Sequence, residues 1–103
     1  MQDKLNKLEE LYEEKQRQLG DPAVYADPVR MKRLNREVKD LEPIVACWRE
    51  FGKAERTVAE AEELLSDPEL KEMAHEELRA GKEQMAAMKE RLTVLLLPKD
   101  PRT

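Results

Sequence analysis

The sequence predicts an all-α fold, an antiparallel helical hairpin or three-helix bundle with coiled-coil-like packing. Charged residues make up 41% of the 103 residues, against about 25% in an average chain. Apolar residues recur at steps of three and four along most of the chain, which is the helical period. Asp-Pro pairs separate these periodic stretches, and β-branched residues do not alternate as they would in strands. An isolated coiled coil of several chains is the competing arrangement.

The first helix is predicted over about residues 2–19. Its apolar stripe consists of Met1, Leu5, Leu8, Tyr12 and Leu19. Lys15 occupies the position of that stripe where an apolar residue is missing. The segment Gly20-Asp21-Pro22 is expected to end the helix, because glycine accepts a left-handed terminal conformation and proline cannot continue the hydrogen-bond ladder.

The second helix is predicted over about residues 28–65, with Asp27 as its N-cap and Pro28 at its first position. Its stripe consists of Met31, Leu34, Val38, Leu41, Val45, Trp48, Phe51, Ala54, Val58, Ala61 and Leu65. Pro43 lies inside this run and predicts a kink nearby, because a proline removes one helical hydrogen bond. Gly52 is a second weak point of the helix.

The third helix is predicted over about residues 68–97, and Pro98 ends it. Either Asp67 caps it with Pro68 at the first position, or Ser66 and Glu69 form a capping box. Its stripe consists of Leu70, Met73, Ala74, Leu78, Gly81, Met85, Met88, Leu92 and Leu95. The methionines suit adaptable core packing, and Gly81 suits a close approach of two helices.

Composition excludes several classes of protein and of site. One cysteine cannot form an internal disulfide, and one cysteine with one histidine cannot complete a zinc site. Three scattered glycines cannot form a phosphate-binding loop, so no cofactor or small-molecule substrate is expected. Apolar runs such as Val94 to Leu97 are far shorter than the roughly 20 residues of a membrane span. No membrane partner is therefore expected, and the cytoplasm is the expected compartment.

Two isolated residues could carry chemistry but are better interpreted structurally. His75 ends the segment Glu72-Met73-Ala74-His75, which matches one element of a di-metal helix bundle, yet the chain has no second histidine. Cys47 has no base nearby in sequence, and the acidic neighbours of His75 would disfavour a thiolate. We expect a solvent-facing histidine, a packed thiol and no catalytic residue.

One basic cluster stands out from a chain whose net charge is −4. Residues 28–56 carry eight basic and five acidic groups. The cluster consists of Arg30, Lys32, Arg33, Arg36 and Lys39. Lys32, Arg36 and Lys39 share one helix face. The cluster either contacts phosphate groups or an acidic protein, or it neutralises the acidic outer face of a neighbouring helix.

Several ordered segments resemble the N-terminal helical domain of bacterial class I peptide chain release factors, of the type that reads UAA and UAG. The segments are Lys4-Leu5-Asn6-Lys7-Leu8-Glu9-Glu10-Leu11-Tyr12-Glu13-Glu14, Asp27-Pro28, Leu41-Glu42-Pro43-Ile44-Val45, Leu64-Leu65-Ser66-Asp67-Pro68-Glu69-Leu70-Lys71-Glu72-Met73-Ala74 and Leu95-Leu96-Leu97-Pro98-Lys99-Asp100-Pro101. The last segment is the most specific. The resemblance covers essentially the whole chain.

The resemblance implies a role in translation termination without catalysis by this segment. In the family, peptidyl-tRNA hydrolysis depends on a Gly-Gly-Gln motif and codon reading on a tripeptide motif, both in later domains. This chain contains no Gly-Gly pair. Residues 1–97 would then form the N-terminal domain, and 98–103 would begin the linker to a central domain. The implied partners are the ribosome, near the base of its stalk, and the remaining domains of the same protein. The alternative is a stand-alone helical coiled-coil interaction module.

Overall fold

The computed structural model describes residues 2–98 and consists of four helices. They are α1 (Gln2–Leu19), α2 (Pro22–Tyr25), α3 (Pro28–Leu64) and α4 (Lys71–Leu95). Every regular element of residues 2–98 is helical, which confirms the predicted all-α class. No helix in this part of the chain is long and apolar enough to cross a membrane. Met1 of the first stripe and residues 99–103 of the predicted linker lie outside the described residues.

The chain divides into two compact units, a first unit Met1–Ala46 and a second unit Cys47–Thr103. Helix α3 supplies residues to both, because it runs from Pro28 to Leu64. The first unit therefore consists of α1, α2 and the first part of α3. The second unit consists of the remainder of α3 and of α4.

Large apolar side chains and an ion pair join the helices of the first unit. Tyr12 on α1 lies in a buried cluster with Val38 and Val45 of α3. Lys15, the charged member of the first stripe, forms a hydrogen-bonded ion pair with Glu37 of α3, with 19% of its side chain exposed. These pairings show that α1 and the first part of α3 run antiparallel. The buried apolar residues of the unit are Leu5, Tyr12, Val24, Leu34, Val38 and Val45.

The second unit is packed mainly from small side chains. The Cys47 thiol donates to the carbonyl oxygen of Met88, at 3.4 Å, and Gly81 lies beside Ala54 and Val58. The second part of α3 and α4 therefore run antiparallel. A Cβ atom built on Gly81 would lie 2.8 Å from Cγ2 of Val58, which confirms the predicted close approach. The buried apolar residues of the unit are Cys47, Ala54, Val58, Ala61, Ala74 and Leu92.

The first helix ends where predicted, but for a different reason. No residue of the described chain has a positive φ, so the expectation that Gly20 adopts a left-handed conformation is wrong. Instead, the Gly20 N–H donates to the Arg17 carbonyl at 3.0 Å, and the Asp21 N–H donates to the Gln18 carbonyl at 3.1 Å. Such tightened turns satisfy the last carbonyls of a helix without a special backbone conformation.

Helix α2 was not predicted, because four residues are too few to show a period. Asp21 is its N-cap and accepts the N–H of Ala23 at 3.0 Å, while Pro22 occupies the first position. Val24 is completely buried and anchors this short helix to the first unit. The predicted three-helix arrangement is thus corrected to three long helices and one single-turn helix.

Helix α3 begins as predicted, with the carboxylate of Asp27 accepting the N–H of Arg30 at 3.2 Å. The α-helix includes Pro43, and the kink there stays a prediction. The helix ends at Leu64, one residue before the predicted end. The stripe is confirmed along α3, where its members are buried or half-buried.

The predicted start of the last helix at residue 68 is wrong, because α4 begins at Lys71 and ends at Leu95. The Asp67 carboxylate accepts the N–H of Glu69 at 3.0 Å, which closes a turn before the helix. The Ser66 hydroxyl donates back to the Glu63 carbonyl, so no capping box forms. The prediction that Met73 belongs to the buried stripe is also wrong, because 47% of the residue is exposed. Its neighbour Ala74 is buried instead.

Candidate nucleic-acid interface

All five residues of the predicted basic cluster are exposed on the first part of α3. Lys32, Arg36 and Lys39 line one surface groove of the first unit. Arg30 and Arg33 are exposed on the same helix but do not line that groove. The structure therefore brings three of the five predicted residues together.

The groove has a volume of about 700 Å³ and is open to solvent. It is lined by Tyr25, Pro28, Met31, Lys32, Asn35, Arg36, Lys39 and Asp40. The three cations stand at steps of four and three residues, so they follow one face of the helix. Met31 is half-buried, and Tyr25 adds an aromatic ring from α2.

The joint between α2 and α3 fixes the position of Tyr25 at this groove. Val24, directly before it, is completely buried, whereas Tyr25 is 58% exposed. The Asp27 N–H donates to the Val24 carbonyl at 3.1 Å, and the Asp27 carboxylate caps α3. Burial of Val24 and the hydrogen bonds of Asp27 therefore hold the backbone on both sides of Tyr25, and this fixes the position from which its side chain extends.

The three groove cations differ from their neighbour Arg33, which has an ion-pair partner on the same helix. The Arg33 guanidinium lies 3.8 Å from the Glu37 carboxylate. The hydrogen-bonded Lys15 ammonium holds the pKa of that carboxyl below its ordinary value, against an opposing effect of desolvation, and Arg33 contributes in the same direction. Among residues 2–98, no ion pair is recorded for Lys32, Arg36 or Lys39. Glu37 therefore pairs with Lys15 and Arg33 and not with the groove cations.

The lining groups can bind an anionic, aromatic ligand. Lysine and arginine contact phosphate oxygens, and an exposed tyrosine ring offers a face on which a base can stack. The amide of Asn35 supplies both hydrogen-bond donors and an acceptor, and Asp40 supplies acceptors. The set contains no nucleophile with an adjacent base, so it is suited to binding rather than to covalent chemistry.

Sequence patterns identified the cations of this groove but not its aromatic residue. Tyr25 lies outside the long apolar stripes and two residues before Asp27, in a stretch that showed no period. An aromatic residue two positions before the N-cap of a basic helix is the signal that could have identified it.

The two residues considered for other chemistry lie elsewhere. His75 is exposed on α4, and within the described range 2–98 no group of three His, Cys, Asp or Glu residues could hold a metal ion. Cys47 is buried, its thiol contacts Met88, and burial raises the pKa of that thiol. A raised pKa lowers the thiolate fraction, so Cys47 is a packing residue, as predicted.

Comparison with known proteins gives a family match and several hundred relatives. Residues 8–103 match the PCRF domain family. The chain is 43% identical over 101 residues to peptide chain release factor 1 of Geotalea uraniireducens (strain Rf4). That alignment covers 98% of this chain and 28% of the relative, so the chain spans just over a quarter of the relative's length. No solved structure gives a significant match.

Proposed function

This chain belongs to the PCRF domain family, and on that premise we propose that it is the N-terminal accessory domain of a translation termination factor. The parent factor recognises the stop codons UAA and UAG and promotes peptidyl-tRNA hydrolysis on the ribosome in the cytoplasm. The observation that carries this proposal is the family match over residues 8–103, together with 43% identity to a protein named peptide chain release factor 1.

Within such a factor, this domain positions the protein and does not catalyse hydrolysis. The sequence contains no Gly-Gly pair, so the motif that the resemblance associates with hydrolysis belongs to another part of the factor. Residues 1–97 form the positioning domain, and residues 98–103 lead towards the central domain. The remaining domains of the same protein are its second partner.

The ribosome is the first partner, in the region of the stalk base, and the groove supplies the contact. Three exposed cations, Lys32, Arg36 and Lys39, face solvent on a chain whose overall charge is negative. Ribosomal RNA presents a dense array of phosphates, and each neutralised phosphate releases counterions. A local cationic face is therefore sufficient for a salt-dependent contact, although the whole domain is acidic.

The proposal is tested by co-sedimentation of the 103-residue chain with ribosomes at two salt concentrations. The variant Lys32→Gln/Arg36→Gln/Lys39→Gln is expected to bind at least tenfold more weakly at low salt. The slope of log affinity against log salt concentration should be shallower for this variant by about 2 to 3. Each phosphate contact contributes about 0.7–0.9 to that slope, and the variant removes three cations. The matched control is Lys71→Gln/Lys82→Gln/Lys89→Gln, which removes the same charge from α4.

Equal losses in both triple variants would show that only net charge matters and would remove the groove from the proposal. If the unmodified chain does not sediment with ribosomes and instead self-associates in analytical ultracentrifugation, the stand-alone coiled-coil module becomes the better explanation. Far-UV circular dichroism of each variant confirms that the helices are intact.

A further inference from the structure

We propose that the groove holds an unpaired nucleotide of RNA, with its base stacked on Tyr25 and its flanking phosphates on Lys32, Arg36 and Lys39. The inference rests on the proposed contact with the ribosome, which supplies the RNA, and it specifies what part of the RNA is bound. It predicts that the groove distinguishes single-stranded RNA from duplex RNA.

The exposure of Tyr25 is the first observation that favours this ligand. More than half of the side chain, 58%, faces solvent, although its neighbour Val24 is completely buried. Tyrosine is a large side chain with few rotatable bonds, so it offers contact area at a small entropic cost. The Asp21 and Asp27 caps fix the short segment on either side. A solvent-facing aromatic ring beside cations is the arrangement that proteins use to stack unpaired bases.

The spacing of the cations is the second observation. Lys32 and Lys39 are seven residues apart, which is about 10 Å along a helix at 1.5 Å per residue, and Arg36 lies between them. Together they form a row beside the ring rather than a point charge. A row of this length suits a short stretch of phosphate backbone that passes the stacked base.

The uncharged lining of the groove favours RNA over an acidic protein. An acidic peptide would use only the cations, whereas the Asn35 amide can donate to and accept from the edge of a base, and the Tyr25 ring can stack on its face. Base edges and base faces are accessible together only in unpaired RNA, because in a duplex the bases are stacked and paired.

The test uses the 103-residue chain and an eight-nucleotide, fluorescein-labelled RNA of mixed sequence, either single-stranded or annealed to its complement. Stacking on one aromatic residue contributes about 1–3 kcal/mol per base, so Tyr25→Leu should weaken single-strand binding at least fivefold. Tyr25→Phe keeps the ring and should stay within about twofold of the unmodified chain. Affinity for the duplex should be the same for all three proteins.

A second variant separates this inference from the proposed function. Lys32→Gln/Arg36→Gln/Lys39→Gln should weaken binding of the single strand, the duplex and the ribosome. If that variant loses ribosome binding while Tyr25→Leu binds single-stranded RNA as the unmodified chain does, the nucleotide inference is overturned and the ribosome contact stands. If a polyglutamate peptide displaces the RNA and Tyr25→Leu has no effect on either ligand, the groove binds an acidic protein instead. Unchanged circular dichroism of Tyr25→Leu excludes unfolding as the cause of a loss.

Discussion

The two units build similar antiparallel helix pairs from different side chains. The first unit buries Leu5, Tyr12 and Val45 and places the Lys15–Glu37 ion pair between its helices. The second unit buries small residues such as Ala54 and Ala61, and its helices approach so closely at Gly81 that a Cβ would lie 2.8 Å from Val58. The two helix pairs therefore differ in the size of their buried side chains, and the first has an ion pair between its helices.

Both units carry ion pairs on their surfaces. In the second unit, Arg79 pairs with Glu76 and with Glu83, the latter at 2.9 Å, and Lys53 pairs with Glu50 at 3.3 Å. Each of these cations has its partner three or four residues away, which is typical of a solvated helix face. The first unit has such a pair as well, between Arg17 and Glu14. What sets the groove cations apart is that three of them share one helix face beside Tyr25.

The largest effect is expected from the core of the first unit. Leu5→Ala removes a side chain that is 1% exposed and should lower the free energy of unfolding by about 2–5 kcal/mol, because the cavity closes only partly. Leu11→Ala, on the same helix but at a residue that is 44% exposed, should cost about 1 kcal/mol or less. Urea unfolding followed by circular dichroism measures both. Equal costs would show that Leu5 does not contribute to the core.

An intermediate effect is expected from the glycines. Gly81→Ala gains helix propensity but places a methyl group against Val58, whose branched side chain cannot rotate away easily, so a net loss of about 1 kcal/mol is expected. Gly52→Ala is the matched control, because nothing lies within 4 Å of its Cβ position. It should raise the free energy of unfolding by about 0.5–1 kcal/mol. Stabilisation by both substitutions would contradict the close approach of the two helices.

The sequence predicted the long helices because their signals are local. The stripe of α3, the Asp27 cap and the end of α1 at Leu19 all depend on residues a few positions apart. The late start of α4 was missed because two capping arrangements competed at Ser66 and Asp67, and the Asp67 turn prevailed. Helix α2 was missed because its stability comes from burying Val24, which only the folded unit can do.

Prediction of the candidate site was limited in the same way. Three of the five cluster residues line the groove, and their shared face followed from the helical period. Tyr25 reaches that face only because the chain turns between α2 and α3, and no sequence period encodes such a turn. The family resemblance was confirmed over residues 8–103, while the groove as a ribosome contact stays a proposal.

The smallest effect is expected from the ion pair that distinguishes the first unit. In the folded chain the Lys15 ammonium lowers the pKa of the Glu37 carboxyl below its ordinary value of 4.5. As the pH falls, Glu37 therefore takes up its proton at a higher pH in the unfolded chain than in the folded chain. The contribution to stability is therefore present above pH 4.5 and is lost as the pH falls through the lowered pKa of Glu37. Lys15→Met should remove most of this contribution, because Arg33 is the smaller cause of the shift.

The difference in unfolding free energy between the unmodified chain and Lys15→Met should consequently shrink as the pH falls below 4.5. Urea unfolding at a series of pH values measures this difference. Lys7→Met, an exposed change on the same helix, is the control and should give a curve parallel to that of the unmodified chain. Methionine also completes the apolar stripe of α1, so the variant can be as stable as the unmodified chain near neutral pH without affecting the test. A Lys15→Met curve parallel to the control would mean that Glu37 titrates normally in the fold, and that the ion pair does not distinguish the first unit.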